Sequence, residues 1–358
     1  FNSWTHLASM LFCQFAKSQS VRDISNGLRS ATGNLNHLGI QKAPSKSSVS
    51  YQNERRDWTL FRDYYYYLFE RLGQLPEFKQ VKFRIKSKIY LLDSTTISLC
   101  LSLFDWAKYK TTKGAVKMHT LLDYDGNLPV YVNITDGKTG DNKGVADMPL
   151  HRGSVIVADR YYGDFALLNQ WDSNGVFFVV RHKENLSFIV HTIREQNQKL
   201  HPQVITDQII ELTGNVTTQK YPKLLRRVVV WNEEHQMEVE LITNQMSWTA
   251  ATIGELYKSR WQVEIFFREI KQCLHIKSFI GTSQNAVMIQ IWTALITILM
   301  LKALKAMAKY KWHLSNLVAF IRLNIFVKID LHSWLDKPFE DTRPPTENQP
   351  EYIQGVLF

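Results

Sequence analysis

Two aliphatic runs that each end in an aspartate are the feature that most constrains this chain. One run begins after Lys88 and reaches Asp93, and the other spans 155–158 and leads directly to Asp159. Continuous aliphatic runs of this length are typical of strands buried on both faces. A carboxylate is costly in such surroundings unless it is paired or bound to a cation. Two such strands in one sheet would bring both carboxylates to a common edge, where paired oxygens suit Mg²⁺ or Mn²⁺.

A simpler interpretation is that each aspartate caps the turn that follows it. A helical segment that starts near Thr252 argues against it, because four polar residues fall within roughly 60° at about 100° per residue: Tyr257, Arg260, Glu264 and Lys271. This stripe borders the apolar face of the helix, so its carboxylate can reach a sheet edge, whereas Glu255 and Glu269 point elsewhere. Glu264 is therefore a third candidate metal ligand, unless it only forms a surface i,i+4 pair with Arg260.

The charge balance concerns partners. The chain has 43 Lys and Arg against 33 Asp and Glu, a net charge of +10, which favours nucleic acid first and an anionic membrane surface second. The three cysteines are too scattered for a disulfide framework or a zinc knuckle, which indicates a reducing compartment. The apolar run 286–301 contains Gln290, Thr293 and Thr297, so we expect a buried helix and no membrane association.

Changes in the pattern of apolar and polar residues along the chain predict five regions. These are a helical N-terminal domain at 1–75 with possible DNA binding, a first part of an α/β core at 76–185, a β-rich antiparallel insertion without helix at 186–245, a second part of the core at 246–326 with the glutamate helix and the helices after it, and an acidic proline-containing tail at 327–358. Within the first region, 49–72 is predicted as one helix. Its arginines could contact DNA or form a solvated basic face. Because the chain begins at Phe1 and not at methionine, we expect it to be N-terminally incomplete.

The motifs and their order resemble the DDE transposases of the insertion sequence 4 family. The family's Tyr-Arg-Glu-Lys signature has the spacing found from Tyr257 to Lys271, and its two aspartate blocks resemble 91–96 and 157–162. The resemblance covers about 88–300, and the N-terminal stretch also resembles the helical domain of many members.

This resemblance implies a fold, a reaction and roles for residues. The fold would be an RNase H-like core with a mixed sheet flanked by helices, an inserted antiparallel β module and an N-terminal helical domain. Asp93, Asp159 and Glu264 would hold two Mg²⁺ ions, with Mn²⁺ as a substitute, for cleavage at element ends and transfer of the strand to target DNA. The remaining signature residues would hold terminal phosphates: Tyr257, Arg260 and Lys271.

Further expectations concern DNA contacts, partners and location. Basic residues that flank the aspartate blocks are candidate DNA contacts: Arg160, Lys113 and Lys117. The partners would be double-stranded DNA, as inverted repeats and as target, and a second copy of the chain in a synaptic homodimer. The expected location is the bacterial cytoplasm, in association with the nucleoid. Trp231 and Trp248 are candidates for stacking on a flipped base, although packing within the insertion is the favoured interpretation.

Two other functions fit the same residues. A truncated, non-catalytic DNA-binding regulator of transposition would bind element ends without cutting them. A structure-selective nuclease on an RNase H-like core would cut DNA but would not join the cut strand to a target duplex. Metal-dependent cleavage and strand transfer distinguish the three functions.

Overall fold

The computed structural model describes residues 1–31, 33, 35–74, 78, 85, 87–99, 104–110, 113–182, 186–194, 201–273 and 279–340. This described part contains twelve α-helices: α1 (Ser3–Ala16), α2 (Val21–Ser30), α3 (Lys46–Arg55), α4 (Thr59–Leu72), α5 (Asp141–Gly144), α6 (Phe165–Ser173), α7 (Asn215–Lys220), α8 (Ala250–Ser259), α9 (Trp261–Cys273), α10 (Gln284–Met307), α11 (Leu314–Leu323) and α12 (Leu331–Asp336). It also contains ten strands: β1 (Ile89–Leu99), β2 (Lys108–Lys110), β3 (Lys113–Asp123), β4 (Leu128–Asp136), β5 (Val155–Ala158), β6 (Phe177–Arg181), β7 (Phe188–Ile193), β8 (Val204–Leu212), β9 (Leu225–Asn232) and β10 (Met237–Thr243).

The strands form one mixed sheet. Their order is β2-β3-β1-β5-β6-β10-β9-β8-β7, and β4 also pairs with β3. Strand β3 runs antiparallel to β1 and β4, whereas β5 is parallel to both β1 and β6. The five strands β4-β3-β1-β5-β6, with helices on both faces, form the RNase H-like core that the sequence motifs led us to expect.

The insertion continues this sheet. Strand β10 pairs antiparallel with β6, and β9, β8 and β7 follow in order, so the predicted antiparallel character of 186–245 is confirmed. The expectation that no helix lies within it was wrong, because α7 lies between β8 and β9. A six-residue helix is too short to produce a recognisable apolar periodicity.

The alternation of β1 builds two apolar cores, one on each face of the sheet. Ile89 and Leu91 face a large core that also contains apolar residues of α4, α9 and α10, and Tyr90 and Leu92 face a smaller core with residues of α6. All four side chains are buried. Full burial of one aliphatic side chain contributes about 2 kcal/mol, so β1 is held firmly from both sides.

Helix α10 lies in the large core. It is long and apolar enough to cross a bilayer, but 89% of its most apolar window is buried inside the protein, against α1, α3 and α4 among others. The three polar side chains that the sequence singled out are satisfied there: Thr293 and Thr297 donate to backbone carbonyls one turn earlier, and Gln290 accepts from the Ile280 N–H at 3.0 Å. The prediction of a buried helix is confirmed.

The segment predicted as one helix over 49–72 belongs to two helices. Helix α3 ends at Arg55, and Arg56 has extended backbone angles (φ −73°, ψ 125°). The Asp57 carboxylate then accepts the Thr59 N–H at 2.9 Å and starts α4. A carboxylate that binds a backbone N–H two residues on competes with continuation of the helix, which explains the break.

The predicted acidic tail is helical in part. Helix α12 lies within it, and its N-cap residue Asp330 accepts the Ser333 N–H at 2.8 Å. The carboxylate oxygen satisfies a donor that the first turn of a helix otherwise leaves unpaired. Residues 341–358 lie outside the described part of the chain, so the rest of that prediction is not tested.

Candidate active site

Asp93 lies inside β1 and not at its end, which corrects the sequence-based expectation. Strand β1 pairs with β5 only from Ile89 to Leu92, whereas its pairing with β3 continues to Leu99. The longer partner β3 therefore keeps the backbone extended beyond the carboxylate. Asp159 follows Ala158, which is the register partner of Leu92, so the two aspartates leave the β1–β5 pairing at the same level. The expected common edge is present.

The helix predicted to carry Glu264 is interrupted at Arg260. Helix α8 ends one residue before Arg260 and α9 begins one residue after it. The Arg260 N–H binds the Tyr257 carbonyl at 3.0 Å, and the Val263 N–H binds the Arg260 carbonyl at 3.0 Å. These i to i−3 bonds tighten the backbone as in a 3₁₀ turn and keep it helical in sense. Tyr257 and Glu264 therefore lie on different helices but still face the sheet.

Arg260 connects two of the three carboxylates. Its NH1 donates to Asp93 Oδ2 at 3.1 Å, and its NH2 donates to Glu264 Oε1 at 2.6 Å. The guanidinium is largely enclosed, with 14% of the side chain exposed. Its rigid fork of donors is suited to such paired contacts. One guanidinium thus contacts two carboxylates at the edge of the sheet.

The charge environment of Asp93 reflects this crowding. Burial raises the pKa of Asp93 to about 6, while the Arg260 guanidinium and the Ser94 backbone N–H oppose the increase. The negative charges of Glu264 and Asp159 raise the pKa of Asp93 further. The three carboxylates therefore interact electrostatically, and the site favours an additional positive charge.

Asp159 is bound by the first residue of the predicted stripe. The Tyr257 hydroxyl donates to Asp159 Oδ1 at 3.4 Å. Burial raises the pKa of Tyr257 to about 12; nearby arginines oppose the shift and the Asp159 charge adds to it. The phenol is therefore protonated at neutral pH and serves as a hydrogen-bond donor beside the carboxylate.

The last residue of the stripe attaches α9 to β1. The Lys271 ammonium donates to Thr95 Oγ1 at 2.5 Å and to the Thr96 carbonyl at 3.2 Å. Thr95 is two residues beyond Asp93, on the same face of the strand. The structure thus brings six of the predicted residues together around one sheet edge: Asp93, Asp159, Tyr257, Arg260, Glu264 and Lys271.

The other predicted DNA contacts lie elsewhere. Arg160 is exposed next to Asp159, with its guanidinium 5.5 Å from the centre of the Tyr161 ring. Lys117 is on the opposite face of the sheet from α9, where its ammonium donates to the Thr139 carbonyl at 3.1 Å. The side chain of Lys113 lies outside the described residues, as does most of the basic segment before β1.

A cleft runs from the site along α8. Its part beside Tyr257 and Arg260 has a volume of about 440 Å³, and an adjoining part of about 260 Å³ is lined by Trp231 of β9. Trp231 is 38% exposed, whereas Trp248 packs against Phe177 with ring centres 6.4 Å apart. Of the two tryptophans that the sequence singled out, Trp231 is therefore the one that faces the cleft.

Two charged residues near the site were missed by the sequence analysis. Arg181 ends β6, lines the cleft and acts electrostatically on Tyr257. Arg181 could have been predicted from the sequence, because β6 is a third apolar run. The end of β6 lies at the same edge of the sheet as the end of β5, its parallel neighbour. Asp141 accepts a hydrogen bond from Ser94 at 2.5 Å. Its signal was weaker, a carboxylate just after a glycine-rich turn.

The donor set of the site suits a hard cation. Within the described residues, no group of three or more His, Cys, Asp or Glu side chains already converges as a metal centre. The chemistry nevertheless fits, because Asp93, Asp159 and Glu264 supply only carboxylate oxygens, which are ligands for hard cations. The negative charges of Asp159 and Glu264 raise the pKa of Asp93, so a bound cation would stabilise its ionised form. Arg260 supplies a positive charge between Asp93 and Glu264. These three carboxylates are therefore the groups that could hold a divalent ion.

Comparison with family profiles gives two matches. Residues 84–300 match the profile described as "Transposase DDE domain", which includes both aspartates and Glu264. Residues 1–41 match a domain of unknown function. The first match covers more than half of the chain and spans the RNase H-like core together with the insertion.

Three proteins with similar sequences are named as transposases. A protein named as a transposase in Sinorhizobium fredii is 31% identical over 73% of this chain and 71% of its own length. A transposase assigned to insertion sequence element IS5377 of Geobacillus stearothermophilus is 28% identical over 67% of this chain and 63% of its own length. One assigned to element IS4SA of Synechocystis is 25% identical over 81% of this chain and 80% of its own length. Among solved structures, the piggyBac transposase synaptic complex aligns with this chain with a TM-score of 0.44 and 10% sequence identity. The alignment covers 99% of this chain and 77% of the piggyBac chain.

Proposed function

The chain belongs to the DDE transposase family, and we propose that Asp93, Asp159 and Glu264 are the carboxylates with which it cleaves and transfers DNA strands. The observation that carries this assignment is the Arg260 guanidinium, which donates both to Glu264 and to Asp93, 167 positions before Arg260 in the sequence. Asp159 lies at the same level of the sheet edge and is bound by Tyr257. This proximity of Asp93, Asp159 and Glu264 supports the proposal, because the sequence patterns that singled them out are separate.

Members of this family depend on divalent metal ions, and we propose two Mg²⁺ ions for this chain, with Mn²⁺ as a substitute. Such ions would activate the attacking water or DNA 3′-hydroxyl and stabilise the leaving oxygen of an in-line phosphoryl transfer. Asp93, Asp159 and Glu264 would hold them. The raised pKa of Asp93 supports this assignment, because an enclosed carboxylate that repels two others gains from a bound cation.

We propose that Tyr257, Arg260 and Lys271 bind the phosphates next to the cleaved bond. Arg260 presents two donor nitrogens in a fork, a geometry that phosphate oxygens accept in pairs. Lys271 provides a point charge near Thr95, and Tyr257 provides a neutral donor. In this role Arg260 exchanges carboxylate oxygens for phosphate oxygens, and its charge stays within the site.

The partners follow from the same proposal. The net charge of +10 supports binding of double-stranded DNA, both as inverted-repeat ends and as target. We propose cut-and-paste transposition of an element of the insertion sequence 4 family, by a homodimer in the synaptic complex. The N-terminal helices would contribute to end binding, and the protein would work in the bacterial cytoplasm at the nucleoid. Arg160 and Lys117, together with Lys113, remain proposed DNA contacts.

The test is cleavage of a labelled duplex that carries the ends of the element encoding this chain, with Mg²⁺ or with EDTA. Glu264→Gln and Asp159→Asn are expected to bind the duplex in a mobility-shift assay but not to cut it. Glu255→Gln is the matched control, because Glu255 is an exposed carboxylate on α8, and it should cut like the parent. Cutting by Glu264→Gln at the parent rate would refute its assignment.

The same assay separates the rival functions. Binding by the parent chain without metal-dependent cutting would favour a non-catalytic regulator. Cutting without transfer of the freed 3′ end to a target duplex would favour a nuclease. Cutting followed by strand transfer would support the transposition reaction as proposed.

A further inference from the structure

A second polar cluster lies behind Asp93, on the other face of the sheet. Because successive residues of a strand point to opposite faces, Asp93 faces α9 whereas Ser94 faces the short helix α5. In the antiparallel register Ser94 lies directly opposite His119 of β3, so these side chains share this second face. Asp141, the first residue of α5, completes the cluster: its Oδ1 accepts the Ser94 hydroxyl at 2.5 Å.

Ser94 connects this cluster to the catalytic face. Its side chain is bound by Asp141, while its backbone N–H donates to Asp93 Oδ1 at 2.7 Å. The other Asp93 oxygen, Oδ2, accepts from Arg260. Asp93 is thus oriented by one donor from each side, and the residue that supplies the strand-side donor is also bound, through its hydroxyl, by Asp141. Hydrogen bonds to a carboxylate are the stronger class and fix geometry accordingly.

Asp141 is itself fixed by a lysine of β3. The Lys117 ammonium lies 3.5 Å from Asp141 Oδ1 and donates to the Thr139 carbonyl at 3.1 Å. The two side chains are only 14% and 18% exposed. Lys117 therefore holds both the turn before α5 and the carboxylate that begins it.

His119 is an uncharged member of the cluster whose ring supports helix α5. Burial lowers the pKa of His119 to about 4, and its Nε2 lies 3.1 Å from Thr135 Oγ1. With this lowered pKa the imidazole is uncharged at neutral pH. Gly144 at the end of α5 packs directly on this imidazole, where any Cβ atom would overlap the ring. The placement of α5, and hence of Asp141, is therefore determined by packing.

We propose that Asp141 is a positioning residue for Asp93, acting through Ser94 from the opposite face of the sheet. The inference rests on the proposed catalytic role of Asp93. Loss of the Asp141–Ser94 bond removes one of the contacts that hold Ser94, whose N–H orients Asp93, without removing any group that faces α9. The expected defect is in the rate of strand cleavage on bound DNA and not in DNA binding.

The test is a double-mutant cycle in the full chain, with the labelled end duplex as substrate and Mg²⁺ as the ion. Asp141→Ala and Ser94→Ala should each lower the cleavage rate at saturating duplex by about tenfold, in keeping with loss of a hydrogen bond to a charged group. The duplex concentration for half-maximal rate should not change. The double variant should be no slower than either single variant, because both remove one link. Asp141→Asn keeps an oxygen acceptor for Ser94 and should retain the rate within about threefold.

Controls distinguish this inference from its premise. Asp147→Ala alters an exposed aspartate of the same segment and should cut at the parent rate. Ser94→Ala leaves the Asp141–Lys117 pair intact, so it tests the link even where Asp141→Ala fails to fold. A parent rate in Ser94→Ala, or effects that multiply in the double variant, would overturn the positioning role while Asp93→Asn remains inactive. Cleavage by Asp93→Asn at the parent rate would instead overturn the proposed function itself.

Discussion

Arg260, which lies between helices α8 and α9, donates a hydrogen bond at 3.1 Å to Asp93 Oδ2 in the middle of strand β1. This contact opposes the effect of burial on Asp93, whose pKa of about 6 already exceeds the ordinary value of 3.8. The same guanidinium also serves Glu264. The ionisation of the site therefore depends on a residue that is not itself a candidate metal ligand.

Replacing Arg260 by Gln should make the metal requirement more dependent on pH. Without the guanidinium, the pKa of Asp93 rises further, so protons compete with the metal ion over a higher pH range. The measurement is the Mg²⁺ concentration for half-maximal end cleavage at about pH 6.5 and about pH 8.5, values on either side of that range. The ratio of the two concentrations should be larger in Arg260→Gln than in the parent. Lys258→Gln, which removes an exposed cation of α8, is the control, and an unchanged ratio in Arg260→Gln would contradict the prediction.

Glu269→Gln should reduce stability but not cleavage. Glu269 points away from the site, as the helical spacing predicted, and its Oε2 lies 3.4 Å from the Lys302 ammonium. Lys302 is enclosed beside the ring of Phe266, so neutralising its partner should cost about 1–3 kcal/mol in the free energy of unfolding, measured with urea. Glu340→Gln breaks an exposed pair with Lys337 and should change stability by less than about 1 kcal/mol. Equal losses in the two variants would argue against a structural role for the Glu269–Lys302 pair.

Asp207→Asn should strongly destabilise the insertion. Asp207 and Arg226 are both almost fully buried and share two hydrogen bonds of 2.7 and 2.8 Å, and Arg226 also donates to the Trp248 carbonyl at 2.7 Å. Breaking a buried pair leaves an uncompensated charge, so we expect a loss of about 3–5 kcal/mol. Urea unfolding measures it, with the exposed Glu238→Gln on β10 as control. A loss below about 1 kcal/mol would show that Arg226 is satisfied without Asp207.

Acidification should destabilise the N-terminal helices through His6. Burial lowers the pKa of His6 from 6.5 to about 4, so between these values the unfolded chain binds the proton more readily. Stability due to His6 is therefore complete above about pH 6.5 and is lost as the pH falls towards 4, with about 1–2 kcal/mol gone at pH 5. The stability difference between pH 7 and pH 5 should be smaller by this amount in His6→Gln than in the parent. The comparison between variants cancels the opposite contribution of Asp93, whose raised pKa acts over part of the same range.

The sequence was informative where regular periodicity determines position. The stripe from Tyr257 to Lys271 was predicted correctly even though the chain leaves α-helical bonding at Arg260, because one 3₁₀ turn rotates the following side chains only slightly. The common edge of Asp93 and Asp159 followed from the alignment of parallel strands. In the first case the spacing along the helical segment carried the information, and in the second case it was the position of each aspartate directly after an aliphatic run.

The sequence was uninformative where position depends on partners distant in the chain. Asp141 lies on a four-residue helix, and its partner Ser94 is 47 positions away, so no local pattern marks it. Similarly, the pairing of β6 with β10 determines that the insertion extends the core sheet, and strand alternation alone does not reveal a neighbour. The end of β1 was misplaced for the same reason, because β3 extends it beyond Asp93.

The position of α10 has a consequence for synthesis of the protein. This helix packs against α1, α3 and α4, so the apolar faces of the earliest helices stay uncovered until residue 307 has left the ribosome. At about 5–20 residues per second, that interval is roughly 15–60 s. The emerging chain is exposed to aggregation and to chaperones during this time, and it completes its core only after all three carboxylates have been made. The first active molecule therefore has to await synthesis of α10, which follows the last of the three carboxylates in the chain.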